Sequence, residues 1–326
     1  MTNNHITFPG LGLEFDINPE AFKIGNISVQ WYGIILCTGI IAAFLYFLRR
    51  ASKTEGIDPD HVYNITLFAV VVAIIGARFM YVITNLDQYD TFLEMINIPG
   101  GGLAIYGGLI FGGASVIIYS RIKKLNTYAL LDSMAPAVLI GQIIGRWGNF
   151  VNAEAYGYSA GVEKLPWRMG LDKVYIDDVY RSDIALVHPT FLYESLWNLV
   201  GFILITLAYK KKKFDGQILF YYVAWYGLGR GFIEMLRADS LRVLGLKLSV
   251  LIGFATFIIA IIFLIIRAKS SEKELSSAIG YESKYASVKI ESERNEDIVA
   301  EPFETEYDED GTTDDDTLGE QDSLDE

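Results

Sequence analysis

The sequence VYNITLFAVVVAIIGARFMYVI, residues 62–83, contains a single charged side chain, that of Arg78. An α-helix needs about 20 predominantly apolar residues to cross the hydrocarbon core of a bilayer. This stretch has that length, and a soluble domain does not need an apolar run of this kind. It therefore predicts a transmembrane helix and indicates an integral membrane protein.

Further apolar stretches lie on both sides of this one, and together they predict an all-α integral membrane protein with seven transmembrane helices. The predicted spans are residues 31–48, 62–83, 103–120, 129–145, 190–209, 217–235 and 246–266. The third, fourth and sixth spans contain glycine or polar residues, which at membrane depth usually face protein or a cavity rather than lipid.

Clusters of basic residues predict which span ends face the cytoplasm. They follow the first, third, fifth and seventh spans, at residues 49–53, 121–124, 210–213 and 267–269. Because cytoplasmic loops are enriched in Lys and Arg, we expect the N-terminus outside and the C-terminus inside. Residues 1–30 are then an outer-surface segment, and residues 149–187 are an insert on the same side. Arg242 and Lys247 are exceptions, since they lie at an outer end.

The C-terminal segment, residues 268–326, holds 20 of the 40 acidic residues and 5 of the 27 basic ones, so it accounts for the whole formal net charge of −13. Its composition predicts a disordered cytoplasmic tail. The seven-helix domain, residues 31–267, has no concentrated basic face that would bind nucleic acid. A single cysteine, Cys37, excludes an intramolecular disulfide, and no metal-ligand spacing is present. We expect no metal and no cofactor.

Polar residues at membrane depth usually mark functional sites, and the first such segment is GRWGNFVNAEAYG, residues 145–157. Arg146 supplies a bidentate fork for phosphate. Asn149 and Asn152 can bond to phosphate oxygens or glycerol hydroxyls, and the glycines allow a ligand close to the backbone. With Glu154, this combination suits an anionic head group. The structural alternative is an interfacial loop with a snorkelling arginine.

The second segment is YGLGRGFIEMLR, residues 226–237. Arg230 and Glu234 are four residues apart, so they share a helix face and can pair, and Arg237 is three residues further on. The arrangement is either a purely structural ion pair or a part of the site. In the second case Arg230 neutralises another part of a phosphate while Glu234 orients it.

The third segment, GGGLAIYGGLIFGG at residues 100–113, is half glycine. This pattern indicates either close helix packing or an irregular backbone with accessible N–H groups. Tyr106 is the one side chain in the segment with a proton to exchange.

The fourth segment, HPTFLYE at residues 188–194, lies at the outer end of the fifth span. His188 could act as a base or bind the anion, or it could simply precede the helix. Glu194, inside the span, favours the functional interpretation. Arg78 and Asp132 are further charges at membrane depth, and local pairing is the alternative for each.

Together these segments resemble the bacterial prolipoprotein diacylglyceryl transferases. The run at 145–154 is similar to the family signature, and further matching elements occur in order at 30–33, 106–110, 188–194 and 230–237. The resemblance covers about residues 8–268. It implies a multi-pass enzyme of the bacterial cell membrane with its site toward the outer face.

The resemblance also implies the reaction. The diacylglyceryl group of phosphatidylglycerol moves to the thiol of the lipobox cysteine of a prolipoprotein, a thioether forms and glycerol phosphate leaves. The expected partners are therefore phosphatidylglycerol, the lipobox signal peptides of prolipoproteins and the bilayer. By motif, Arg146 and Arg230 bind the lipid phosphate, and His188 is a second candidate catalytic group. The residues implied to line or flank the head-group pocket are Tyr32, Gly107, Gly108, Asn149, Asn152, Glu154, Gly157, Tyr226 and Glu234.

The chain departs from the family pattern at one candidate catalytic position. Tyr106 stands where many members have a histidine that has been considered a catalytic base, and Phe111 stands where those members have glycine. An unperturbed tyrosine has a pKa of about 10, against about 6.5 for histidine. Tyr106 therefore acts as a base only if its pKa is strongly lowered; otherwise no base is essential at this position.

Two other classes of protein stay open from the residues alone. Charged groups in a span also suit a membrane transporter of an anionic solute or lipid, although no inverted half-repeats are evident. An intramembrane serine protease would need a serine in an exposed glycine-rich turn and a histidine within a later span. His188 precedes a span, and no serine occupies such a turn convincingly.

Overall fold

The computed structural model describes residues 3–25, 27–98, 101–172, 174–176, 179–181, 183–238, 242–243 and 246–277. The described residues up to Glu272 belong to one compact unit, Met1–Glu272. The predicted acidic tail lies outside the described residues from position 278 onward.

Seven helices of 18 residues or more dominate the described part of the chain. They are α1 (Trp31–Thr54), α2 (Pro59–Thr84), α4 (Ile105–Ile122), α5 (Thr127–Val151), α6 (Thr190–Tyr209), α7 (Gln217–Leu236) and α8 (Leu248–Ser277), with the short α3 (Phe92–Ile96) between α2 and α4. Six are long and apolar enough to cross a membrane, and α7, which carries Arg230 and Glu234, is not among the six. The mostly helical membrane fold is confirmed, whereas a crossing by all seven helices stays a prediction.

The described strands belong to the N-terminal segment, the insert and the connection between α7 and α8, where no strand was predicted. They are β1 (Asn4–Phe8), β2 (Leu13–Ile17), β3 (Glu20–Ile24), β4 (Ile27–Gln30), β5 (Met169–Leu171), β6 (Val174–Ile176), β7 (Val179–Arg181), β8 (Ala185–Val187), β9 (Arg242–Val243) and β10 (Leu246–Lys247). Strands of two to five residues are too short to give a clear period-two pattern. The all-α description therefore holds for the long helices and not for these segments.

One antiparallel sheet joins the N-terminal segment to the insert, with strand order β2-β1-β5-β8. Ile6, Leu171 and Val187 are fully buried in its core and pack with Phe191 of α6 and Phe150 of α5. We call this four-stranded sheet the cap. Because it lies against the end of α5 and the start of α6, it fixes the helix ends that carry the polar segments of the sequence.

Helix α5 is longer than the predicted span, and its additional residues include the candidate residue Arg146. The predicted span stopped at Gly145, yet the helix continues to Val151, so Arg146 lies within it. Gly148 lies within the helix as well, and the Tyr32 ring packs directly on it; an added Cβ would approach Tyr32 Cδ2 to 2.6 Å.

The glycine-rich segment packs helix α4 against α2, as the close-packing interpretation of the sequence indicated. An added Cβ on Gly107 would lie 2.3 Å from the carbonyl oxygen of Gly76 and 2.6 Å from Met80 Cβ. Gly108 faces α2 as well, 3.4 Å from the carbonyl oxygen of Ala73 by the same measure. Both glycines allow the two backbones to approach each other closely.

Replacing Gly107 by alanine should destabilise the protein, whereas Gly113→Ala in the same helix should not. The methyl group at position 107 meets backbone that cannot move aside, and overpacking of this kind costs about 1–3 kcal/mol. A methyl group at position 113 would have no atom of another residue within 4 Å, and alanine there gains helix propensity. Thermal unfolding of both variants in detergent tests this; equal midpoints would contradict the packing role of Gly107.

Arg78 is paired locally and fastens the connection between α2 and α4. It is 7% exposed. Its guanidinium donates to the carbonyl oxygens of Met95 (2.8 Å), Glu94 (2.7 Å), Gly101 (2.5 Å) and Gly102 (3.0 Å). The buried charge therefore satisfies backbone acceptors of the loop, and this charge belongs to the architecture rather than to the candidate site.

Asp132 is also paired locally, at the end of the bundle opposite the cap. Lys212 Nζ lies 2.9 Å from Asp132, 2.8 Å from Glu55 and 2.9 Å from Asp215. Burial alone would lower the pKa of Lys212, but its hydrogen bonds to Glu55 and Asp132 outweigh burial and raise the pKa above its usual value. Lys212 therefore joins the α6–α7 connection to Asp132 of α5 and to Glu55 at the end of α1.

Candidate active site

Glu194 lies between two arginines that are far apart in the sequence. Its side chain is 5% exposed, near the start of α6. Its Oε2 atom lies 2.5 Å from Arg146 Nη2 of α5 and 3.4 Å from Arg230 Nη1 of α7. Arg146 and Arg230 thus share one carboxylate oxygen, and the two residues predicted to bind one anion do lie together.

A second carboxylate and a third arginine complete what we call the charge cluster, defined as Arg146, Glu194, Arg230, Glu234 and Arg237. Arg230 Nη2 lies 2.8 Å from Glu234 Oε2, as the spacing of four residues predicted. Arg237 contacts both carboxylates at 3.9 Å. Three guanidinium groups and two carboxylates leave a net positive charge in the cluster.

The two signs of charge in the cluster differ in their access to the surroundings. The carboxylate side chains of Glu194 and Glu234 are 5% and 2% exposed, whereas the arginine side chains are 13–21% exposed. The two carboxylates are therefore buried, and the arginine side chains that pair with them are the part of the cluster that is accessible. This arrangement attracts an anion and offers it donors.

A chain of amide hydrogen bonds leads from the charge cluster to the end of α5. Arg146 Nη1 donates to Asn149 Oδ1 at 3.2 Å, and Asn149 Nδ2 donates to Glu154 Oε1 at 2.9 Å. Asn152 Nδ2 approaches the same Glu154 oxygen at 3.5 Å. The helix ends just before this point, because Ala153 has a positive φ of 52°. The turn directs Glu154 back toward the asparagines.

Gly157 connects the start of α6 with the end of α7. Its N–H donates to the carbonyl oxygen of His188 at 2.9 Å, and it forms an antiparallel bridge with Arg237. An added Cβ would lie 2.6 Å from His188 Cβ and 2.7 Å from the carbonyl oxygen of Leu236. Only glycine allows this approach, so its contribution to the site is through the backbone.

His188 joins the site indirectly. Its Nδ1 atom lies 3.1 Å from the hydroxyl oxygen of Tyr193, which also accepts a hydrogen bond from Trp167 Nε1 at 2.9 Å. Tyr193 immediately precedes Glu194 in α6. The described side-chain hydrogen bond of His188 therefore joins it to Tyr193, the residue before Glu194. It does not join His188 to an arginine of the charge cluster.

The three candidate tyrosines lie in different surroundings. Tyr32 packs on Gly148, which is two residues after Arg146 in α5. Tyr226 is one turn before Arg230 in α7 and stacks on Tyr222 with ring centroids 5.8 Å apart. The hydroxyl of Tyr106 lies 3.4 Å from Ser249 Oγ of α8. Among the described contacts, Tyr106 has no polar contact with the charge cluster.

Replacing Tyr106 by phenylalanine should leave the activity that the motifs imply within about threefold of the wild type, because it removes one long hydrogen bond, and such bonds contribute little net free energy. Initial rates at pH 7 and pH 9 measure this. A positioned general base contributes about 10²–10⁴-fold, so a loss of that size would instead support Tyr106 as the base.

Glu194 and Arg237 were given too little weight by the sequence interpretation. Glu194 was treated as support for His188, and Arg237 as an extension of the Arg230 motif. A carboxylate in an apolar span needs a cation nearby, which is the signal that points to Glu194. Its partners lie in two other helices, so their identity depends on tertiary packing.

The long apolar helices indicate an integral membrane protein, and three partly exposed arginines lie together at one end of these helices. The family model for prolipoprotein diacylglyceryl transferase matches residues 19–266. The chain belongs to the prolipoprotein diacylglyceryl transferase family, as its motifs indicated.

Curated relatives cover most of this chain. A phosphatidylglycerol–prolipoprotein diacylglyceryl transferase from Streptococcus uberis is 40% identical over 258 residues, 78% of this chain and 96% of the relative. Enzymes of the same name from Pediococcus pentosaceus and from Streptococcus pyogenes serotype M5 are 40% and 41% identical, covering 79% and 78% of this chain and 93% and 96% of the relatives. The part of the chain shared with these transferases includes the whole charge cluster.

Proposed function

We propose that this protein transfers the diacylglyceryl group of phosphatidylglycerol to the lipobox cysteine thiol of prolipoproteins in the bacterial cell membrane. Its family and the names of its relatives support this activity. The observation that carries the proposal is the contact of Arg146 and Arg230 with one carboxylate oxygen of Glu194. Family membership does not favour the alternative of a transporter.

The lipid phosphodiester binds on the accessible side of the charge cluster, to Arg146 and Arg230. A guanidinium has five N–H donors, and the contacts of Arg146 with Asn149 and Glu194 leave some of them for a ligand. The net positive charge of the cluster complements the single negative charge of the phosphodiester. Asn149, Asn152 and Glu154 then face the glycerol head group, whose hydroxyls can donate to Glu154.

The reaction forms a C–S bond and breaks a C–O bond. The acceptor thiolate attacks the glycerol carbon that carries the phosphate ester oxygen, and glycerol phosphate leaves with the bonding electrons. Arg146 and Arg230 stabilise the negative charge that develops on the leaving phosphate. A free thiol has a pKa of about 8.5, so the thiol proton must be accepted during the reaction. His188 is better suited to this than Tyr106, because imidazole is the side chain that most often serves as a general base in enzymes.

All seven long helices cross the bilayer in the proposed topology, with the cap and the charge cluster at the outer face. The basic clusters at the opposite helix ends support this orientation. Helix α7 has the length of a span, and its Arg230 pairs with Glu234 of the same helix and with Glu194 of α6. Such pairing lowers the cost of charges at membrane depth.

Purified protein in phosphatidylglycerol-containing micelles tests the proposal directly. With phosphatidylglycerol labelled in its acyl chains, the label should appear on a peptide that carries a lipobox cysteine, and unlabelled glycerol phosphate should be released. The same peptide with serine in place of that cysteine is the control. Absence of transfer, with the Streptococcus pyogenes relative active in parallel, would exclude the function.

A further inference from the structure

Lys247 contacts the end of α7 although it lies ten residues beyond Arg237. It is the last residue of β10, immediately before α8. Its Nζ atom donates to the carbonyl oxygens of Glu234 at 2.9 Å, Met235 at 3.1 Å and Arg237 at 2.6 Å. An ammonium group has three N–H donors, so every donor of Lys247 has an acceptor at this helix end.

These contacts provide hydrogen-bond donors to carbonyl groups at the C-terminal end of α7. The last four carbonyl groups of an α-helix have no partner within the helix, and the negative end of the helix dipole favours a cation. The ring of Tyr158 lies on another side of the ammonium, 4.7 Å from Nζ to the ring centroid, at a distance typical of a cation–π contact. Lys247 is therefore surrounded by hydrogen-bond acceptors and an aromatic ring, all of which attract a cation.

Two of the three carbonyls belong to residues of the charge cluster. Glu234 and Arg237 place their side chains against Arg230 and Glu194, and Lys247 holds their backbones. The helix stops at Arg237, which is extended, with φ −75° and ψ 138°. Lys247 thus holds the turn at which α7 ends.

We propose that Lys247 is a positioning residue for the transfer reaction, an inference that rests on the proposed function. It holds the last turn of α7 so that Glu234 and Arg237 keep Arg230 in place beside Glu194. Lys247 acts through these residues and not by contact with the phosphodiester. Its position at an outer helix end, an exception to the charge pattern of the loops, follows from this role.

Lys247→Met and Lys247→Arg separate positioning from mere stability. Methionine keeps most of the side-chain length but cannot donate, so kcat per folded molecule should fall about tenfold, the scale expected from a small misplacement of site groups. Arginine is also a cation with several donors, so it should restore kcat to within about threefold. Lys23→Met is the control, because Lys23 is 64% exposed in the N-terminal segment, and it should change nothing.

Hydrogen exchange of residues 231–238 gives a readout that does not depend on activity. Lys247→Met should accelerate exchange there, and Lys247→Arg should not. Unchanged kcat in Lys247→Met, or a loss that only follows the folded fraction and is not rescued by arginine, would overturn the inference while the wild-type enzyme stays active. Unchanged exchange in Lys247→Met would overturn it even if the wild type transferred no lipid, which is the separate failure of the proposed function.

Discussion

Replacing Arg146 or Arg230 by glutamine should lower kcat/KM for phosphatidylglycerol by about 10³-fold. In the proposed site each guanidinium binds the phosphate that gains charge as it departs, and removing one preorganised donor of this kind costs about 10²–10³-fold. The loss of a full positive charge from a partly buried site adds to this effect. Initial transfer rates over a range of lipid concentrations measure the change.

Two comparisons make this experiment specific to the shared site. Arg168→Gln is the matched control, because Arg168 lies in the insert and donates to the carbonyl oxygen of Leu165; it should keep activity within about threefold, as surface changes away from the site usually do. The double variant of Arg146 and Arg230 should lose much less than the product of the single losses, because the two groups act on one anion. Full additivity, or activity within tenfold of wild type in either single variant, would contradict a shared phosphate site.

The long helices were predictable because most of each helix is apolar, although α7 carries Arg230 and Glu234 and is not among the six candidate spans. The boundary errors arose where one residue depended on a distant partner. Arg146 indicated the end of a span, yet the helix continues through it because Glu194 of α6 accepts its charge. The strands of the cap were not predicted, because β1 finds its partner β5 more than a hundred residues later and three-residue strands carry no clear pattern.

The arginines of the candidate site could be predicted from the sequence, whereas the contacts between its side chains could not. Arg146 and Arg230 are chemically conspicuous in apolar surroundings, so both could be found from the sequence alone. The sequence pattern was compatible with either a packing or a binding role for Gly107. In the structure Gly107 of α4 packs against the backbone of Gly76 in α2. The sequence also could not show that Glu194 lies between the two arginines, because contacts between side chains on different helices have no local signature.

Because Glu194 contacts both Arg146 and Arg230, we expect Glu194→Gln to lower kcat by about 10²-fold. Without this carboxylate the guanidinium groups of Arg146 and Arg230 repel each other and lose the atom that orients both. The thermal midpoint should fall too, because breaking a buried ion pair costs up to about 3–5 kcal/mol. That cost is smaller here, since both arginines are partly exposed and screened by solvent.

Lipid affinity should respond in the opposite direction to kcat in Glu194→Gln. Loss of the carboxylate raises the net positive charge of the cluster and frees arginine donors, so KM for phosphatidylglycerol should stay constant or fall while kcat drops. Glu194→Asp keeps the charge on a shorter side chain and should lie between wild type and Glu194→Gln in kcat. Glu163→Gln, at an exposed carboxylate in the insert, controls for charge alone. A rise in KM with unchanged kcat would mean that Glu194 contacts the lipid itself, and would replace the role argued here, in which it holds the two arginines in place for the phosphate.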